Sequence, residues 1–462
     1  MNTADTLAAA EAAEAEGRLD DAAALLAGLG TALEQHPAGL HLAGVIAARQ
    51  GDYPRAAGLM DRAAVLGGLD PASLALVHRN RMEVHRRLLQ PQTAIAAGQA
   101  ALALRPADAA TLNNLALAHL DAMEIDAALS CYDRAIAAAP DDPAPHFGRG
   151  ELLLGLGDYA QGWAGYAWRF RLPGVAAPLP DAVLARPRVR RWQGRKLAGT
   201  LLLVADQGFG DVVQFARYIP WAASRCGRLV VAASPEMQPV IAQFPEVTER
   251  LASWEKLDDF AAWAVLSDLP ALAATRADSV PVDTLPYLAA GHEDRQRWRA
   301  RLDQLVAPGP RRVGLVWAGR ANHPFDFARS ATLAALAPLG NATGIAWIAL
   351  QLGGAETQLG GQTWPAPVIN LGPEIASYAD TMAILAELDL VVTVDTSVAH
   401  VAGAMGRPCW VMLPKRADWR WGLHGDTAPW YPALRLFRQR KLGDWEQIAR
   451  DVVAALAERE ED

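Results

Sequence analysis

Residues 388–408 read LDLVVTVDTSVAHVAGAMGRP, and this stretch decides the fold of the second part of the chain. Leu388 to Val394 is a short apolar run of the length and β-branched content of a buried parallel strand. It runs into Asp395, Thr396 and Ser397. Beyond them the apolar spacing of Val398, Val401, Ala402 and Met405 predicts a helix, stopped by Gly406 and Pro408. A strand, a tight loop and a helix make one βα unit. Small hydroxyl residues at its helix start expose backbone amides and add side-chain donors, an arrangement that holds a pyrophosphate without metal. His400 lies one turn into this helix, where it either reaches a phosphate or sugar hydroxyl or packs as an ordinary helix histidine.

Outward from this unit the alternation continues. Val313 to Trp317 reads as a strand leading into AGRANHPFDFARS, Ile345 to Gln351 and Val368 to Leu371 as later strands, and Ala376 to Ala386 as a helix. A polar stretch, LVAPGPRR, separates this series from an earlier one. In that first series Thr200 to Val204 (TLLLV) is a strand ending at the loop DQGFGD, followed by a helical pattern over 211–225. Another strand is expected at Leu229 to Ala233, and apolar segments around Phe260 to Leu266 carry the half to about residue 290. A nicotinamide site is excluded on two counts: Val213 replaces the third glycine of G-x-G-x-x-G, and the next strand ends at Ser234, not at a ribose-binding acid. Asp211, at the start of the first-half helix, has two readings. It is an N-terminal cap, or a charged carboxylate at the carboxyl edge of a parallel sheet, placed to take a proton from a substrate hydroxyl.

The first third of the chain has a different grammar. Ala94, Ala101 and Pro106 recur 34 residues later as Ala128, Ala135 and Pro140, with Asn80 and Asn114 at the same spacing. Small residues let paired helices approach, and the proline ends the second helix. Gly44, Gly51, Tyr53, Ala56 and Ala63 mark a unit near 37–74, Gly150, Gly157, Tyr159 and Tyr166 one from 143 onward, and residues 3–36 a degenerate first copy. These positions resemble the tetratricopeptide (TPR) repeat over about residues 3–170. The resemblance implies an α-solenoid that binds protein segments, with Asn80 and Asn114 as peptide-binding candidates. The alternative for each asparagine is a bond within its own or to a neighbouring helix.

Composition bounds the rest. A chain of 462 residues suggests two or three domains, and 52% hydrophobic against 20% charged residues excludes global disorder. A formal net charge of −8 argues against nucleic acid as a partner. Cys131, Cys226 and Cys409 form neither a disulfide framework nor a zinc-ligand spacing, which fits a reducing cytoplasm. The acidic, alanine-rich first residues do not read as a secretory signal, and no apolar stretch is expected to span a membrane. Arg171 to Gly199, with its prolines, reads as a linker whose basic run Arg186–Lys196 is a solvated face, anchored by Trp192.

DQGFGDVVQFARYIP and DTSVAHVAGAMGRP resemble the acceptor-side and donor-side motifs of the heptosyltransferase family of GT-B glycosyltransferases, over about residues 198–455. The fusion with TPR repeats, including GDYAQGWAGYAWR and DWRWGLHGDTAPWYPALRLFRQ, resembles bacterial TPR glycosyltransferases, some of which modify flagellin. The resemblance implies an α + α/β chain: TPR helical repeats at 1–170, a linker at 171–198, and two Rossmann-like halves, acceptor-side at 199–295 and nucleotide-sugar donor-side at 296–462. It makes Asp211 the general base, with Gln207, Gly208 and Gly210 in the acceptor-side loop. Arg329, Asp395, Thr396, Ser397 and His400 become the donor-binding set. Ser397 stands where the family usually has glycine and Arg329 where it has lysine, which leaves the sugar open. No Asp-x-Asp motif or His/Cys cluster is present, so no metal or other cofactor is expected beside the nucleotide-sugar co-substrate. His323 and Asp326 share the loop of Arg329. Trp419, Arg420 and Trp421 either stack on a sugar or close a core. The expected function is sugar transfer to a hydroxyl of a protein acceptor recruited by the repeats, such as flagellin Ser or Thr. The alternatives are a saccharide or lipid-linked acceptor, or a non-catalytic scaffold.

Overall fold

The computed structural model describes residues 2–175, 179, 181–184, 189–252, 259–361 and 364–458, and the chain divides into two compact units, Met1–Arg149 and Gly150–Asp462. Helices of eight residues or more and all described strands are labelled in chain order.

The first unit is a run of helical hairpins: α1 (Thr3–Ala15) with α2 (Leu19–Ala27), α3 (Pro37–Arg49) with α4 (Tyr53–Val65), α5 (Pro71–Arg87) with α6 (Pro91–Leu104), and α7 (Ala109–Ala122) with α8 (Ile125–Ala138). Their starts are written in the sequence. Asp52, Asp70 and Asp108 accept the amides of Arg55, Ala72, Ser73 and Thr111 at 2.8–3.1 Å, and prolines fill the first turns of α3, α4, α5 and α6. The periodic alanines Ala94, Ala101, Ala128 and Ala135 are at most 1% exposed. At Gly98 a Cβ would stand 2.7 Å from Met82 Sδ and 2.9 Å from Leu115 Cδ1, so α5, α6 and α7 meet there only because the residue is glycine. This unit is a TPR-like helical array.

A fifth hairpin follows, α9 (Pro143–Gly155) and α10 (Tyr159–Tyr166). The sequence extends the array to residue 170, but from Gly150 onward this hairpin belongs to the second unit. The reason is aromatic. Tyr159, Trp163 and Tyr166 surround Trp419 with ring centroids 5.5–6.4 Å apart, and Trp430 Nε1 donates to the Tyr159 hydroxyl at 3.0 Å.

In the junction Arg190, Arg191, Arg195 and Lys196 are exposed, as expected of a solvated basic face, and the segment is also tied to the sheet. Arg190–Arg191 forms strand β1, Arg191 pairs with Asp268 at 2.6 Å, and Trp192 is buried with its indole N–H on the Arg195 carbonyl at 2.7 Å. Residues 186–188 of the basic run lie outside the described residues.

The second unit carries two sheets. The first has the order β1-β5-β2-β3-β4, all parallel, with β2 Leu197–Val204, β3 Cys226–Ala232, β4 Glu249–Leu251 and β5 Ala262–Val265. The second has the order β11-β12-β10-β9-β6-β7-β8. Its strands are β6 Arg311–Val316, β7 Ile345–Ala349, β8 Val368–Asn370, β9 Leu390–Val394, β10 Cys409–Leu413, β11 Thr427–Ala428 and β12 Tyr431–Arg438. Among the described residues only the β11–β12 pair of this sheet is antiparallel. The apolar runs that mark strands in the sequence are the buried centres: Leu201, Leu203, Val313, Leu315, Val392 and Val394 are each at most 1% exposed. Five more helices serve these sheets: α11 (Phe209–Ala216), α12 (His292–Leu305), α13 (Tyr378–Ala386), α14 (Ser397–Ala404) and α15 (Trp445–Glu458). The helix expected over 211–225 is two pieces, α11 and a short helix Ile219–Ala223, because Pro220 cannot donate to a continuous ladder.

Strand order locates the site. In the first sheet the chain moves outward from β2 to β3 and β4, then returns to the other side of β2 as β5. In the second it moves from β6 to β7 and β8, then returns beside β6 as β9. Each reversal opens a crevice at the carboxyl ends of the strands, where open α/β sheets bind ligands. The loops leaving β2, β6 and β9 carry Asp206–Asp211, Trp317–Arg320 and Asp395–Ser397.

Candidate functional site

Two eight-residue helices, one from each sheet, meet at the site. α11 follows β2 and α14 follows β9. They touch where Gly210 lies against His400: a Cβ on Gly210 would come 2.7 Å from His400 Cδ2. Arg217, just past α11, fastens the same region. It is buried, donates to the carbonyls of Gln214 and Trp430 at 3.0 and 2.9 Å, and stands over the ring of Tyr431 at 4.8 Å.

Asp211 is a cap and more than a cap. Its Oδ2 accepts the Gly208 amide at 2.9 Å, the return arm of a capping box, while Oδ1 pairs with Arg420 Nη2. Gln207 reaches this turn with a left-handed φ of 66°, and Gln207 and Gly208 are exposed beside it. Arg420 also holds Asp418 at 2.7 Å and donates to the Tyr166 hydroxyl at 3.3 Å. Burial works against its charge, but Asp211 and Asp418 more than offset this and keep the guanidinium firmly protonated. Burial likewise opposes charge on Asp418, yet Arg420 holds its carboxyl below the usual range.

The loop after β9 is half-buried. Ser397 Oγ accepts the Tyr378 hydroxyl at 2.7 Å, and the Thr393 and Thr396 hydroxyls are 3.0 Å apart. Phe209 crosses Tyr378 edge-on at 5.7 Å, and Arg320 stands 4.2 Å over the Phe209 ring, so the two loops share one aromatic wall. Asp395 is pushed up to about 6 by burial and by Asp418, against the opposing pull of Arg329. Arg329 folds over Gly319, where a Cβ would stand 2.6 Å from its Nη2, and lies 3.6 Å from Asp326. Asp326 in turn accepts the Ser330 hydroxyl at 2.6 Å, and Ser330 accepts the Gly319 amide at 2.9 Å. His323 accepts the Phe325 amide at 3.1 Å and is exposed.

The structure therefore brings Asp211, Gly210, Asp395, Thr396, Ser397, His400 and Arg329 into one region. His400 is deeper than the sequence suggests. It is 4% exposed, its Nδ1 is 3.2 Å from the Tyr431 hydroxyl, and its ring lies 5.0 Å from that of Trp421. Burial, helped by Arg420, lowers it to about 3, so it is neutral and packs α14 against α11. Trp419 and Trp421 are likewise core side chains. Asn80 and Asn114 lie in the first unit, where Asn80 Nδ2 is 2.9 Å from His41 Nε2 and Asn114 accepts from Asn113 at 3.3 Å. Asp418, Tyr166 and Glu151 join the site unannounced, since each is far in sequence from the two glycine and hydroxyl loops. The charged pair Asp418 and Arg420 set between tryptophans in DWRW was the available signal.

Among the described residues no group of three or more His, Cys, Asp or Glu side chains is arranged to hold a metal ion, and Cys131, Cys226 and Cys409 are free thiols. No described helix is long and apolar enough to cross a membrane. A surface depression of about 250 Å³ lined by Pro408, Trp410, Asp426 and Arg435 lies where β10 begins, at the opposite strand end from the site.

No protein-family model matches the chain. It is 30% identical over 385 residues to protein FlbA of Caulobacter vibrioides; that match covers 77% of this chain, which spans 62% of the FlbA length. Among solved structures, MamA 41-end from Desulfovibrio magneticus RS-1 is 19% identical over 36% of this chain and 92% of its own, with a TM-score of 0.33. YrrB, described as a TPR protein with an unusual peptide-binding site, is 15% identical over 36% of this chain and 84% of its own, with a TM-score of 0.32.

Proposed function

We propose that the chain is a cytoplasmic glycosyltransferase of the GT-B kind, which moves a sugar from a nucleotide-sugar to a hydroxyl of a protein presented by the helical array. The observation that carries this reading is the meeting of α11 and α14 at Gly210 and His400, which sets a partly buried carboxylate against a hydroxyl-bearing helix start at two topological switch points.

In this mechanism the amides at the start of α14, the hydroxyls of Thr396 and Ser397, and Arg329 bind the donor's diphosphate. Asp211, paired with Arg420, takes the proton from the acceptor hydroxyl as its oxygen bonds to the anomeric carbon. The bond from that carbon to the phosphate oxygen breaks, and the nucleoside diphosphate leaves with the electron pair. A single displacement inverts the anomeric centre. The phosphate charge is met by Arg329 and by fixed dipoles that need no reorganisation, so no metal is required. Asn80 and Asn114 are the array positions proposed for contact with an extended acceptor segment, flagellin Ser or Thr being the first acceptor to try.

Two measurements test the reading. Purified protein is screened with uridine, adenosine and cytidine diphosphate sugars for a rise in melting temperature, since a ligand that binds only the native state stabilises it. Intact mass of co-expressed acceptors then reports transfer. A nucleotide-sugar that binds without any transfer, with or without residues 1–149, supports the scaffold alternative.

A further inference from the structure

The hairpin of α9 and α10 reads in the sequence as one more repeat, yet it enters the site. It grips the Trp419–Leu423 segment at several points. The Leu423 amide donates to the Gly155 carbonyl at 3.2 Å, a Cβ on Gly155 would stand 3.3 Å from Leu423 and 3.6 Å from the Trp419 Cα, and the Tyr166 hydroxyl accepts from Arg420 at 3.3 Å. Gly150 has no room for a side chain against Gly165 and Tyr166, with a Cβ only 2.6 Å away, which fixes the rotation of α9 over α10. Glu151 follows that glycine and precedes Gly155 by one helical turn, so it shares the face that meets the Trp419 segment.

We propose that Glu151 and Tyr166 are positioning residues of the site, which act on Asp211 through Arg420. This rests on the glycosyltransferase reading for its catalytic meaning but not for its test. The charged groups that bear on Glu151 are Asp418, Arg420 and Arg416 from the loop after β10 and Asp211 from α11, while Arg149 on its own helix is engaged by Asp133 at 2.7 Å. Burial, then Asp418, pushes the Glu151 carboxyl up to about 8. Arg420 already serves two carboxylates, so an ionised Glu151 would have to share that guanidinium with Asp211 and Asp418. At neutral pH Glu151 is the uncharged acid, and Arg420 stays on Asp211. Above pH 8 an ionised Glu151 competes for the same guanidinium and loosens Asp211.

The sign follows from proton counting. The folded chain keeps a proton on Glu151 that the unfolded chain has released, so this group lowers stability as pH rises from about 4.5 to about 8 and adds nothing further above that. Glutamine does not titrate. In the full-length protein, the melting temperature of Glu151→Gln should exceed that of wild type by a gap that widens from pH 5 to pH 8, reaching about 2 °C or more, and then stays constant. Repeating the pair in the Asp211→Asn background frees Arg420 for an ionised Glu151, so the gap should shrink by half or more. Tyr166→Phe, which removes another acceptor of Arg420, supplies the same comparison should Asp211→Asn fail to fold. A gap independent of pH, or one untouched by both backgrounds, overturns the proposal. With a donor in hand, Glu151→Gln should also remove the alkaline fall in kcat/KM near pH 8. Failure to find any donor would count against the glycosyltransferase reading and leave the stability comparison standing.

Discussion

Gly210 of α11 and His400 of α14 are in direct contact, and the contact admits no Cβ: one built on Gly210 would lie 2.7 Å from the imidazole Cδ2. The ring cannot step aside, because the Tyr431 hydroxyl and the Trp421 ring hold it on other sides. Everything proposed for the site depends on this closeness, since it sets the spacing between Asp211 and the Asp395–Ser397 loop.

Gly210→Ala should therefore destabilise the protein by about 1–2 kcal/mol, the cost of overpacking reduced by the better helix propensity of alanine. Denaturant unfolding measures it. His400→Ala combined with Gly210→Ala should cost less than the sum of the two single changes, because His400→Ala removes the clash that Gly210→Ala makes.

His400 should leave a signature in the pH dependence of stability. Its folded value, about 3, lies below that of the unfolded chain, so the unfolded state takes up a proton first as pH falls. Its contribution is full above about pH 6.5 and is lost toward pH 3, at up to about 1.4 kcal/mol per pH unit. Unfolding free energies between pH 7 and pH 5 should fall more steeply for wild type than for His400→Gln. Equal slopes would mean that His400 is exposed and charged in solution.

Arg217 ties α11 to Tyr287 and to the Trp430 backbone with a forked guanidinium. A lysine ammonium cannot reach the Gln214 and Trp430 carbonyls and the Tyr287 hydroxyl together, so Arg217→Lys should cost about 1–3 kcal/mol in thermal or chemical unfolding. No loss would show that these three bonds contribute little.

Asp211→Asn should keep nucleotide-sugar binding within a few-fold of wild type and lower turnover by about 10²-fold or more, as expected for a general base. Unchanged turnover at saturating donor would reduce Asp211 to its capping and ion-pair roles.

The two switch-point loops were legible because each is local: an apolar run, a glycine or hydroxyl turn, and a helical spacing lie within about 20 residues of one another. Asp211 and Ser397 could be named from that pattern alone. What escaped reading was long-range. Arg420 is 209 positions from Asp211, and nothing in DWRW says which carboxylate it meets. The last hairpin kept the glycines and tyrosines of the repeat pattern, so its sequence still reads as array; Trp419 and Trp430, far downstream, recruit Tyr159 and Tyr166 to the other unit. The apolar spacing puts His400 on its helix, but its depth depends on Gly210 from the other sheet. β10 and β12 went unread because the short run from Cys409 to Leu413 follows a proline and a glycine, and β12 alternates exposed and buried residues around Pro432.

The most direct test of the account is a structure of the protein with a nucleoside diphosphate or nucleotide-sugar bound. The account predicts the diphosphate at the start of α14, with its oxygens within about 3 Å of the backbone amides there and of the Ser397 hydroxyl, and with Arg329 turned onto it. Phosphates found at any other place in the fold, with that helix start still covered by Tyr378 and Phe209, would contradict it.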